Sequence, residues 1–280
     1  MKPEWSYAYG KPDLSSKDIS TFCNTDSEEL YEKNLVEKRE ELEENGWIPL
    51  PPDERCVGHR YLYNPKEPGL NDWVELSYNV NSYGFRSEEM PTEKKPRSIM
   101  AVGCSNTFGI GMPIGQIWPT LVGNTLRNRP YNLGVPRGSL DSVFRVLLAW
   151  LPKIRPSHVF LLEPPGVRYE THTVTFKGIS HSTIQQPQPV GIRFEHEDEW
   201  QLHREKTMRA IKSLCDQFDT PFISMQFDDS VYSGCSKLLG SVDSARDLMH
   251  PGRNMHTYIA MKMLKQAGYE WDIDKNEQVG

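Results

Sequence analysis

The sequence predicts an α/β protein, a three-layer α/β/α sandwich built on a parallel sheet and preceded by an N-terminal accessory region. Three observations lead there. From Ser98 onward, short apolar runs alternate with longer stretches of helical periodicity, the pattern of strands joined by crossover helices. A chain of 280 residues that is 37% hydrophobic and 10% aromatic can bury one large core and carry a smaller segment beside it. Residues 1–97 differ from the rest of the chain, being polar, broken by prolines and rich in Tyr and Trp, so the accessory region is placed at 1–97 and the core domain at 98–280.

Each element follows from its local pattern. In the accessory region Thr25-Asp26-Ser27-Glu28 has the form of a capping box and opens a charged stretch that ends at Asn45-Gly46. Tyr31, Leu35 and Leu42 share one face there, which predicts a surface helix packed on the core. Strands are predicted near 98–102, 130–133, 158–162 and 221–226. Between them, helices are expected over Gly115 to Arg127, over Ser139 to Leu151 with Val143, Leu147 and Trp150 at helical spacing, and from Glu197 to Gln217. A last helix follows Pro251, buries Met255, Tyr258, Ile259 and Met263, and stops near Gly268. Residues 166–196 fit no helix; Thr171 to Phe176 alternates like a short strand or hairpin arm, and the segment is expected to form a wall of the binding cleft.

Composition excludes several classes. The net charge of -6 and the lack of a Lys/Arg-rich tract argue against nucleic acid as a partner. No run approaches the ~18 apolar residues of a membrane-spanning helix, and the first residues lack the apolar segment of a secretory signal, so a cytoplasmic protein is expected. The five cysteines, Cys23, Cys56, Cys104, Cys215 and Cys235, are scattered and read as reduced thiols. Neither a metal nor a cofactor is expected: His172, His181, His196 and His203 lie in a polar insert without ligand spacing, and Gly109, Gly111 and Gly115 have the wrong spacing for a dinucleotide loop, which Pro113 also interrupts.

The chemistry concentrates in two places. Ser105 directly follows the first core strand and so falls at the carboxyl edge of the sheet, where open α/β folds bind ligands. Near the other end, Asp247 and His250 stand three residues apart, immediately before Pro251-Gly252. A serine hydroxyl becomes an effective nucleophile when an imidazole takes its proton, and a carboxylate on the other ring nitrogen fixes the tautomer. Ser105, His250 and Asp247 supply those three roles. Cys104 is the neighbouring candidate nucleophile; side chains of adjacent extended residues diverge, so only one of the pair faces the imidazole, and Cys104 is read as a buried thiol.

Gly103-Cys104-Ser105-Asn106-Thr107-Phe108-Gly109, then Tyr131-Asn132-Leu133-Gly134, then Asp247-Leu248-Met249-His250-Pro251, resemble in order the blocks of the SGNH, or GDSL-type, hydrolase superfamily. The phrase Asn81-Ser82-Tyr83-Gly84-Phe85-Arg86 is similar to wording that precedes the core in many bacterial and phage-encoded members. The resemblance covers roughly 95–268. It implies a sandwich of the SGNH or flavodoxin-like kind, Ser105 as nucleophile, and an oxyanion hole made by the amides of Ser105 and Gly134. Two departures are visible: Cys104 replaces the family's Asp, and Glu163-Pro164-Pro165 stands where the third block, Gly-x-Asn, would supply a carboxamide donor. Asn106 or Arg168 could repair that loss, although Arg168 could equally pair with Glu163 or Glu170, and Asn106 could bond within its own turn.

The expected function is therefore a cofactor-independent serine esterase that removes small O-acyl groups through an acyl-enzyme, with O-acetylated carbohydrate as the leading substrate class. The alternatives are a catalytically impaired SGNH-fold binding or structural protein, favoured by the missing third block, and an O-acyltransferase using the same triad.

Overall fold

The computed structural model describes residues 48–49, 62–63, 79–91, 97–164, 168–175, 178–185, 197–243, 245 and 250–271. The helix predicted from Thr25 lies outside them. Ile48–Pro49 (β1) and Leu62–Tyr63 (β2) pair antiparallel.

The central sheet has four parallel strands in the order β4-β3-β5-β8, made of Ser98–Gly103 (β3), Arg129–Gly134 (β4), His158–Glu163 (β5) and Phe222–Gln226 (β8). These are the four predicted strands, each shifted by a residue or less at most ends. Alternation within β3 and β5 builds the two cores. Met100, Val102, Val159 and Leu161 pack on one side against Leu140–Ile154 (α3) and Glu197–Gln217 (α4). Ile99, Ala101, Phe160 and Leu162 pack on the other against Trp118–Leu126 (α2), Asp229–Leu239 (α5) and Arg253–Gln266 (α6). Sandwiching the sheet in this way hides both faces, which is why its middle strands read as continuous apolar runs. Each large apolar side chain so enclosed contributes about 1.5–3 kcal/mol.

The helices follow their sequence signals with local exceptions. Ser139 caps α3, its hydroxyl accepting from the Ser142 amide, and Val143, Leu147 and Trp150 are buried as the spacing requires. The helix runs past Leu151 to Ile154, with Pro152 inside its last turn. The expected helix over 115–127 is shorter: Ile114–Gln116 form a 3-10 turn, and α2 starts at Trp118 with Pro119 in its first turn. Helix α5 is additional to the expected elements, although Asp228, which accepts from the Ser230 amide, is a recognisable cap. Within 166–196 the chain forms an antiparallel hairpin, Arg168–Thr175 (β6) with Gly178–Gln185 (β7). Among the described residues, no helix is long and apolar enough to cross a membrane.

Candidate active site

Ser105 opens a four-residue helix, Ser105–Phe108 (α1), at the point where β3 ends. The turn depends on two glycines. Gly103 has φ +152°, and a Cβ there would lie 2.2 Å from Thr107 Oγ1 and 2.5 Å from the Leu162 carbonyl oxygen. At Gly134, on the neighbouring strand, a Cβ would lie 2.4 Å from the Phe108 nitrogen. Strand and turn therefore approach more closely than any side chain allows.

Because the helix starts at Ser105, the two candidate nucleophiles are not both extended. Cys104 keeps an extended backbone and is 1% exposed, Ser105 is 8% exposed, and Ser105 Oγ lies 4.0 Å from Cys104 Sγ. The divergence expected of adjacent extended residues is thus reduced by the onset of the helix. The other described cysteines are protonated at neutral pH, since burial pushes Cys215 up to about 12 and Cys235 up to about 11.

The loop carrying Ser105 is braced by Arg86, a residue whose role no local pattern discloses. Its guanidinium is buried; Nη1 donates to the carbonyls of Phe108 at 3.2 Å and Gly109 at 2.6 Å, and Nη2 to that of Met112 at 2.8 Å. The preceding residues explain how it arrives there. Asn81 Oδ1 accepts from the Tyr83 and Phe85 amides, Gly84 takes φ +82°, and Phe85 enters the core beside Trp150. Through its buried Asn81, Phe85 and Arg86, the phrase Asn81 to Arg86 is a clamp on the serine loop.

In the loop before α6, His250 is half-buried and its carbonyl accepts from the Ala245 amide at 2.7 Å. Helix α6 follows Pro251 as expected, with Gly252 as the N-cap and Arg253 the first helical residue. Since glycine has no side chain to cap with, Asp243 does so from the preceding loop, accepting from the amides of Asn254 at 2.9 Å and Met255 at 3.1 Å. Asp247 lies outside the described residues.

One turn along α6, His256 is fully buried, and its Nδ1 accepts from the Trp118 amide at 3.2 Å, which caps α2. Burial, then the charges of Arg86 and His250, lowers His256 to about 3, so it stays neutral and is not a rival base.

The oxyanion candidates differ in their engagement. The Gly134 amide donates to Asn132 Oδ1 at 3.0 Å. Asn106 is 9% exposed, and its carboxamide bonds to no described residue, so the local turn bonding considered for it is not formed. Arg168 begins β6. The two carboxylates considered as its partners have others: Glu163 Oε2 accepts from Arg204 Nε at 2.9 Å and Nη2 at 2.6 Å, and Glu170 is held by both Nε and Nη2 of Arg145. Glu170 also accepts from Ser142 Oγ, and its amide donates to Asp141, which His203 Nε2 approaches at 3.1 Å. These groups fasten the start of the hairpin to α3, and α3 in turn to α4.

The sequence matches no family model and no curated protein. Among solved structures, the chain is similar to TesA, with 13% identity and a TM-score of 0.39 over 61% of this chain and 97% of that one. It is also similar to Axe2, an acetylxylan esterase from Geobacillus stearothermophilus, with 12% identity and a TM-score of 0.33 over 65% of this chain and 98% of that one. A third likeness is to a lipolytic protein of the G-D-S-L family from Desulfitobacterium hafniense DCB-2, with 13% identity and a TM-score of 0.33 over 59% of this chain and 95% of that one.

Proposed function

We propose that the protein is an SGNH-like serine hydrolase that removes small O-acyl groups, with O-acetylated carbohydrate as its substrate class. The observation that carries this reading is the position of Ser105, the first residue of a glycine-enforced turn at the carboxyl end of a central parallel strand. In this reading Ser105 Oγ attacks the ester carbonyl while His250 takes its proton, and Asp247 orients the imidazole. The acyl-enzyme forms as the alcohol leaves with the proton from His250, and water repeats the sequence to release the acid.

The oxyanion would be met by the Ser105 amide and by the Asn106 carboxamide, whose hydrogens are uncommitted to described residues. Gly134 contributes only by giving up its bond to Asn132 Oδ1, and Arg168 serves in substrate binding. That engaged Gly134 amide favours a second reading, an SGNH-fold protein that binds acylated ligands without turnover.

Labelling with a fluorophosphonate decides between them. Wild type and Cys104→Ser should be labelled and Ser105→Ala should not; an unlabelled wild type would establish the second reading. An acyltransferase would be labelled too, and would show itself by passing acyl groups to an added alcohol faster than to water.

A further inference from the structure

We propose that the Glu163–Arg204 ion pair is a subsite for the vicinal hydroxyls of a neutral sugar, placed beside Ser105. The inference deepens the carbohydrate-ester reading and rests on it. Glu163 is the last residue of β5, and Leu162 pairs with Gly103. Glu163 therefore stands one residue beyond the last pair and Ser105 two residues beyond it, at the same edge of the sheet. The pair thus stands where the Gly-x-Asn block of the resembling family would begin, and a carboxylate there cannot stabilise an oxyanion.

Its bonding leaves a specific pattern open. Both donors that Arg204 spends on Glu163 go to the same oxygen, Oε2. Glu163 Oε1 and Arg204 Nη1 make no hydrogen bond, yet neither is among the enclosed polar atoms that lack a partner, so both reach solvent. The side chains are 6% and 24% exposed, which makes this a recessed acceptor and donor rather than a surface pair. The inner atoms fix each other, so the outer atoms are preorganised.

The charges of the pair select the ligand. Arg204 disfavours a cation and Glu163 disfavours an anion, and the two neutralise each other through their contact. A neutral ligand that both donates and accepts remains. Two adjacent hydroxyls meet this requirement, one donating to Oε1 and the other accepting from Nη1, as an acyl chain cannot. The sugar would be held by these hydroxyls while an acylated one faces Ser105.

The test is ligand-observed saturation-transfer NMR on the full-length protein with methyl β-D-glucopyranoside, methyl α-D-mannopyranoside and their 2,3-di-O-methyl ethers, covering trans and cis diols. At least one free glycoside should bind, with its ether about tenfold weaker or worse, because the charge-assisted bond to Oε1 is lost. Glu163→Gln should weaken the free glycoside about tenfold, since Arg204 would keep the amide oxygen and turn the NH2 outward as a second donor. Arg204→Lys, which keeps the charge opposite Glu163 but removes Nη1, should weaken it as well. Binding that does not distinguish glycoside from ether, or no binding by either glycoside, overturns the proposal; the ligand comparison needs only wild type, so it stands if a variant fails to fold. Fluorophosphonate labelling of Ser105 without diol recognition would sink this subsite alone, whereas Glu163-dependent sugar binding without labelling would sink the hydrolase reading and keep the subsite.

Discussion

Replacing Arg86 by Met should uncouple the serine loop from the rest of the fold. The side chains are of similar reach, so the change removes the guanidinium without opening a large void, and it takes the charged donors from the carbonyls of Phe108, Gly109 and Met112; Phe108 keeps a long bond from Asn132 Nδ2 at 3.4 Å and Gly109 one from the Met112 amide at 3.3 Å. A buried acceptor left unsatisfied costs about 1–3 kcal/mol, and a bond from a charged donor lies toward the upper end. The three losses are not additive, because two of the carbonyls keep a weaker partner and the loop can relax and admit water once it is freed. A loss of about 3–5 kcal/mol is expected, a large part of a typical domain stability of roughly 5–15 kcal/mol. For a domain of this size that corresponds to a fall in melting temperature of about 6–20 °C. Thermal and urea unfolding of wild type and Arg86→Met measure it directly, with Arg86→Lys expected between them since one ammonium reaches fewer of the three carbonyls. Ester turnover should fall in the folded variant too, because Ser105 lies on the braced loop. A melting temperature within about 2 °C of wild type would refute the claim that the clamp holds this loop.

Gly103→Ala should leave little folded protein, since its Cβ would lie 2.2 Å from Thr107 Oγ1 and 2.5 Å from a backbone carbonyl; soluble yield and circular dichroism would show whether the turn tolerates it. Asp243→Ala removes the borrowed cap of α6 and should cost about 0.5–2 kcal/mol by urea unfolding, with hydrogen exchange rising first at the amides of Asn254 and Met255. His256 is held at about 3, below the usual imidazole value of 6.5, so its contribution to stability is complete above about pH 6.5 and is lost as the pH falls toward 3, where the unfolded chain takes up a proton that the folded chain refuses. Unfolding free energies from urea titrations between pH 7 and 4 should therefore fall more steeply for wild type than for His256→Asn, by up to about 1.36 kcal/mol per pH unit; parallel curves would show that His256 protonates freely in the fold.

The layers of this protein are written in local sequence because each strand and helix carries its own periodicity. Val159 to Leu162 is apolar at every position, as a strand covered on both faces must be, and Ser139 marks the start of α3 by a cap that needs only the next three residues. Ser105 was legible in the same way, from an apolar run that stops at glycine. Groups that work through distant partners left no such mark. Arg86 meets carbonyls more than twenty positions away, His256 caps a helix 138 residues earlier, and Glu163 is answered by Arg204 across 41 positions. Periodicity and caps are short-range, so they determine which segments become strands and helices and which residue types stand at the sheet edge. Only the packing of the layers brings together charges that are far apart in the chain, and it thereby decided which loop is braced, which histidine stays neutral and which face of the site is polar.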